Sequence, residues 1–318
     1  MSLVPYGKLD LISVQKIWDN GSHAALTDLI FFQGTWLCTF RESDAHELGS
    51  DGTIRVIASQ DGNIWKSLTN FQAEGVDLRD PKLSVTPDGR LMLLVGASIY
   101  REGEFVSRQP MVTFSSDGEL WEPFTKILEP KDWLWRVTWH NGKAYGVSYR
   151  SEEDERTATL FESSDGINYE KITTWDIQGH PTETTLRFLE TDEMIALVRR
   201  DEVGNRNAYV GIASQPYDDW EWHPCNMYFG GPNFLIVQDE LMLAGGRMVW
   251  RSPYGRFPKT ILALMSMGHL DPLLILPSGG DTSYPGLVYH NDELWMSYYS
   301  THEESTAVYL ARFQFEIE

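Results

Sequence analysis

Cysteine is nearly absent. Cys38 and Cys225 are the only two in 318 residues, which excludes a disulfide framework. Basic residues are scarce too: 26 Lys and Arg against 46 Asp and Glu leave a formal charge of −20. Such a surface argues against nucleic acid or anionic membrane as partner. No apolar run approaches the roughly 18 residues that a membrane helix needs, so no membrane insertion is expected. The first residues, M-S-L-V-P-Y-G-K, lack a basic stretch followed by an apolar one, so no secretory signal is expected and the compartment stays open. Nothing reads as a long amphipathic helix, a Pro/Ser-rich linker or a low-complexity tract. The eight His show neither H-E-x-x-H nor paired ligand spacing, so no metal and no cofactor are expected.

What the chain does have is repetition. Ser59–Trp65 reads S-Q-D-G-N-I-W, Ser115–Trp121 reads S-S-D-G-E-L-W, and Ser163–Tyr169 reads S-S-D-G-I-N-Y. Each copy follows a short alternating apolar run, the pattern of a strand running into a tight turn. Asp-Gly supplies that turn, because Gly accepts positive φ and the Asp side chain bonds nearby backbone N–H groups. Ser214–Trp220, S-Q-P-Y-D-D-W, is a degraded fourth copy.

Between these hairpins a second pattern recurs: apolar strand, short polar turn, apolar strand. Its turns fall at Gly34, Gly89, Gly142, Asp192, Asp239 and Asp292, roughly fifty residues apart, and a fixed period signals a repeat architecture. Each unit adds a third and a fourth strand, except that the sixth runs out of chain after Ala307–Phe313. Leu11–Trp18, ahead of the first unit, supplies the missing strand, which closes a ring without an exposed edge. The expectation is an all-β, six-bladed β-propeller of four-stranded antiparallel blades over residues 1–318 as one domain. Two packed β-sandwiches are the alternative, and the regular spacing disfavours them.

In a propeller the innermost strands line the central channel, and the loops at one end form the site. Aligning the units on their apolar runs puts Thr27, Asp80, Leu134, Glu183, Pro232 and Tyr284 at one shared position opening those strands. The ends of the second strands carry Arg41, Arg150, Arg199, Arg200 and Arg247, and Arg79 and Arg136 sit beside the opening positions. Arginines gathered on an acidic protein suit a ligand with a carboxylate, which Arg binds bidentately. The plainer reading is that they pair with Asp80, Glu183 and their neighbours. Trp133 and Trp135 are candidates to stack on a sugar ring, and His23, His46 and His302 to line the pocket.

On these residues the chain resembles the bacterial-type exo-sialidases (neuraminidases). The S-x-D-G-x-x-W copies match that family's structural Asp boxes (BNR repeats). Pro181–Arg199 resembles its segment in which a channel Glu opens one strand and an Arg closes the next. Asp281–Tyr299 resembles the segment carrying its nucleophilic Tyr. The resemblance implies a retaining glycoside hydrolase with Tyr284 as nucleophile, activated by Glu183, because an anionic nucleophile would be repelled by the carboxylate of the sugar. It implies carboxylate binding by Arg199 or Arg200 and by Arg247. It places an acid/base Asp between Arg41 and the first Asp box: Asp51 first, with Asp44 and His46 behind it. The family's leading Arg is missing from Ser22–Leu29, leaving Arg41, Arg79 or Arg136 to replace it, or a different terminal sugar as substrate. The expected partner is a glycan or small sugar. A non-catalytic sugar-binding propeller is the alternative from another class.

Overall fold

In the computed structural model, which describes residues 2–4, 7–47, 49–151, 156–202, 204–237 and 241–317, the repeats become blades. Blade one runs outward through His23–Phe32, Thr35–Ser43, Thr53–Ser59 and Lys66–Phe71. Blade two is Asp77–Val85, Leu91–Arg101, Glu104–Ser115 and the short Thr125–Lys126; blade three is Trp133–His140, Lys143–Arg150, Thr157–Ser163 and Tyr169–Thr174. Blade four is Pro181–Phe188, Met194–Arg200, Asn207–Ala213 and Glu221–Tyr228; blade five is Gly230–Ile236, Met242–Ser252, Gly255–Ser266 and His269–Ile275. Blade six takes Thr282–His290, Glu293–Ser300 and Ala307–Ile317 from the end of the chain and Gly7–Trp18 from its start, with Ser2–Val4 outside them. The ring is closed as expected, by Leu11 pairing with Phe313 and Trp18 with Val308. The expected turn at Asp239 lies outside the described residues. No helix of the structure is long and apolar enough to cross a membrane.

The hairpin repeats fold as their residues dictate. In the first, Asp61 Oδ1 accepts from the backbone N–H groups of Asn63 and Ile64, and Ser59 Oγ accepts from that of Gly62. Trp65 then folds back and its indole N–H donates to the Gly62 carbonyl. Trp121 does the same to Gly118. In the degraded copy Tyr217 takes the Gly position with a φ of 68°, and Trp220 still donates to its carbonyl.

The core is distributed between blades. Leu243 and Tyr298 pack where blades five and six meet, Val210 and Phe234 between four and five, and Ile54 and Leu93 between one and two. Each such side chain contributes about 1.5–3 kcal/mol relative to exposure. Trp133, Trp135, Leu26, Tyr284 and Tyr299 form a further cluster at the hub.

One irregularity recurs in all six blades. The innermost strand carries an extra residue against its neighbour at Leu26–Thr27, Asp80–Pro81, Trp135–Arg136, Thr182–Glu183, Gly231–Pro232 and Tyr284–Pro285. A bulge re-aims side chains and frees backbone groups. The freed carbonyls are taken up by the adjacent blade: Thr27 Oγ1 donates to Tyr284 O, Thr185 Oγ1 to Pro232 O, and Asn233 Nδ2 to Pro285 O. This register corrects the sequence alignment. Asp80 and Tyr284 share the first bulge position, but Glu183 sits at the second, with Thr27 and Arg136.

Candidate active site

The bulges aim Leu26, Asp80, Glu183 and Tyr284 into a cavity of about 650 Å³ at one end of the hub. Tyr284 donates to Glu183 Oε1 at 2.5 Å. Arg199 Nη1 donates to the same carboxylate oxygen at 2.7 Å and to the Tyr284 hydroxyl at 3.1 Å. The second oxygen of Glu183 accepts from Gly231 N at 2.8 Å. Gly231, on blade five, is the spacer that lets the Glu of blade four and the Tyr of blade six touch. A Cβ there would stand 2.9 Å from the Tyr284 ring, and its φ of 59° suits glycine. Behind Tyr284 lies the buried Trp135, with ring centroids 5.4 Å apart and edge to face. Trp135 is therefore a support, while Trp133 lines the cavity. Gly96 makes room for Trp133, whose ring would lie 2.2 Å from an added Cβ.

Charge is arranged to keep the two partners in different states. Burial works to raise the Glu183 carboxyl, but the Arg199 charge and the hydrogen bonds from Arg199 and Tyr284 outweigh it and hold it below its ordinary value. Burial, reinforced by the Glu183 charge, pushes the Tyr284 phenol well up. The resting pair is a carboxylate and a neutral phenol. Arg247 faces the Tyr284 ring, with its guanidinium 5.6 Å from the centroid. Asp80 behaves oppositely to Glu183: burial raises it, only partly opposed by Lys82 and Arg79. Among the described residues no hydrogen bond reaches its carboxylate, which leaves nothing of that kind to hold it ionised.

Other residues expected at the site lie elsewhere. Arg41 is 1% exposed; it bonds Asp77 at 2.8 Å and the Ala45 carbonyl, beneath the loop that follows it. Arg136 is held by Asp28, itself 1% exposed, inside the hub. Arg200 turns to the carbonyls of Gln178 and Asn207. Each of these guanidiniums is spent on structure. Arg79 does line the cavity, tethered to Asp77 and the His46 carbonyl. Asp51 is exposed and outside the lining, and Asp44 staples its own loop by accepting from Ser50 N at 2.7 Å. Among the described residues of that loop, His46 and Glu47 reach the cavity. His302 bonds Ser300 instead.

His46 and His23 converge on Asp281, at 2.7 and 3.4 Å from its Oδ2. Their ligand atoms lie within 4.8 Å of one another, although the three come from distant segments. The Tyr299 hydroxyl donates to the other Asp281 oxygen. These hydrogen bonds, with the His46 charge, hold Asp281 far below its ordinary value despite burial.

The sequence reading missed Tyr100, Phe105 and Arg108, which also line the cavity. They stand on an arm formed because the middle strands of blade two run on to Arg101 and restart at Glu104. Blade five has a matching arm, Met242–Ser252 with Gly255–Ser266. The local signal lies in the turns: Glu102-Gly103 and Pro253-Tyr254-Gly255 each put a glycine between two strand-forming runs, and Gly103 and Gly255 both take positive φ.

No protein-family model and no curated protein sequence matches the chain. Solved structures do. A protein of unknown function from Dyadobacter fermentans superposes with a TM-score of 0.83 at 15% identity, covering 98% of this chain and 100% of that one. An α-L-arabinofuranosidase from Fusarium graminearum, solved with an iminosugar inhibitor, gives 0.69 at 15%, covering 95% and 97%. The Trypanosoma rangeli sialidase with the inhibitor DANA gives 0.69 at 13%; the match covers 96% of this chain but 60% of that one. At these identities the likeness shows a shared six-bladed propeller fold.

Proposed function

We propose that the chain is an exo-acting, sialidase-like glycoside hydrolase that removes a terminal acidic sugar with retention. The observation that carries this reading is the Tyr284–Glu183 hydrogen bond of 2.5 Å, inside a cavity lined by Arg79, Arg108, Arg199 and Arg247. That two propellers of the same shape are a sialidase and an arabinofuranosidase supports it, though folds alone do not carry function. The S-x-D-G-x-x-W hairpins support it as the counterparts of Asp boxes.

In the first step Tyr284 Oη attacks the anomeric carbon and passes its proton to Glu183 Oε1. The bond to the aglycone oxygen breaks, and Asp80 gives that oxygen a proton. In the second step water attacks the same carbon, its proton goes to Asp80, and Tyr284 leaves with the proton returned by Glu183. Arg199 and Arg247 stabilise charge developing on the Tyr oxygen and bind the sugar's carboxylate. Asp80 takes the acid/base role in place of Asp51 and Asp44 because it lines the cavity and its carboxyl is raised, as a general acid requires.

Leu26 lies at the blade-one bulge and lines the cavity, in the segment where the resemblance calls for an arginine. That favours a terminal sugar other than a standard sialic acid. The test is a panel of aryl glycosides that includes an aryl sialoside and aryl uronides. Release of the aryl alcohol from an acidic member supports the reading. Sugar binding without hydrolysis of any member would replace it with a non-catalytic lectin.

A further inference from the structure

Beside the Tyr284–Glu183 cavity lies a second one, of about 280 Å³, that shares Arg199 and Arg247 with it and adds Arg206, Arg251, Arg256 and Tyr228. Five arginines around one hollow are unexpected on a chain of charge −20. Their placement follows from strand geometry. On the blade-five arm side chains alternate between faces, so Arg247, Val249 and Arg251 point one way. Arg256 joins that face because it is the register partner of Arg251. The other face carries the exposed Trp250 and Phe257.

Among the described residues these outer arginines lack the counter-charges that occupy the inner ones. Arg199 is paired with Glu183 and Asp201, and Arg247 approaches Asp281 at 3.7 Å. Arg206 donates to the Glu202 carbonyl. Among the described residues no carboxylate forms an ion pair with Arg206, Arg251 or Arg256. Arg251 and Arg256 also stand directly opposite each other, a like-charge pair that weakens a hairpin. An unrelieved cost of that kind is offset when an oxyanion sits between the two guanidiniums.

We propose that this second cavity is a subsite for an oxyanion, a sulfate ester or a carboxylate, on the sugar that follows the scissile bond. Its assignment to the aglycone side rests on the glycosidase reading; the anion preference itself does not. The substrate would then carry two negative groups, one at the terminal sugar and one at its neighbour.

The test is equilibrium binding, by ligand-observed NMR, of lactose, lactose sulfated on its glucose residue, and lactobionate, which has a carboxylate at that end. The wild-type chain should bind at least one charged probe about tenfold more tightly than lactose, the gain expected of a charge-assisted contact to Arg. Which charged probe is preferred separates sulfate from carboxylate. Arg251→Ala/Arg256→Ala, made on an exposed arm and relieving a like-charge pair, should abolish the preference with a melting temperature no lower than that of the wild type. Arg251→Lys/Arg256→Lys should keep part of it. Charged and neutral probes binding alike or not at all, or a preference that survives in the double alanine variant, would overturn the proposal. A preserved preference without hydrolysis anywhere in the glycoside panel would remove the hydrolase reading and leave the anion subsite standing.

Discussion

Asp80 and Tyr284 occupy the same step of their respective blades. Each is the first residue of its bulge, and each is left-handed, with φ of 48° and 51°. A non-glycine residue in that region costs on the order of 1–3 kcal/mol, and the surrounding structure has to impose it. Here Thr27 holds the Tyr284 carbonyl at 2.8 Å and Trp135 backs its ring. One backbone device, repeated around the ring, thus aims a carboxylic acid and a phenol into one cavity from blades two and six. Glu183 reaches Tyr284 from the next step along blade four.

Asp80→Asn should lower turnover by about 100-fold or more with a poor leaving group, the usual contribution of a general acid. With an activated aryl leaving group the loss should shrink, because protonation is no longer needed. Asp51→Asn, an exposed change, should leave both rates near wild type. Initial rates on a matched pair of aryl glycosides check this, and equal losses on both would remove Asp80 from the role.

The pH profile follows from the two carboxyls. In the proposed mechanism Glu183 acts ionised, and it is held low, so activity should persist below the ordinary glutamate range. In the same mechanism Asp80 acts protonated, and it is held high, so the alkaline limb should lie above the ordinary aspartate range. Lys82, itself pulled down to about 8 by burial, lowers Asp80 by its charge. Lys82→Met removes that charge, raises Asp80 and should move the alkaline limb of kcat/KM to higher pH while the acid limb moves less. A downward shift would contradict the assignment.

Gly231→Ala adds a Cβ at 2.9 Å from the Tyr284 ring, at a positive φ. The expected cost in stability is about 1 kcal/mol or more from the backbone alone. The displaced Tyr284 should lower kcat more than it raises KM. Chemical denaturation and steady-state kinetics on one preparation measure both effects.

Much of the fold was legible because its signals are local. The Asp-Gly hairpins and the fifty-residue period need no partner to be recognised, and the strand Leu11–Trp18 was conspicuous as an unpaired leftover. The gathering of Tyr284, Glu183, Arg199 and Arg247 around one cavity was legible for a related reason, since each sits near a strand end inside a recurring frame. What the sequence left hidden depended on distant partners. Arg41 is neutralised by Asp77 from the next blade, and Arg136 by Asp28 from two blades away. No spacing within either strand announces these pairs. The bulge shifted Glu183 by one position because alternation alone does not reveal an inserted residue. The exposed position of Asp51, outside the cavity lining, depends on the path of its loop, which turns His46 and Glu47 inward.

The role of the Tyr284 hydroxyl can be read most directly by quenching the protein in acid during turnover of whichever aryl glycoside it hydrolyses and weighing its peptides. The Tyr284 peptide should gain the mass of the glycosyl residue, and Tyr284→Phe should lose both the adduct and the turnover. A glycosyl group on another residue, or product release undiminished in Tyr284→Phe, would contradict the mechanism.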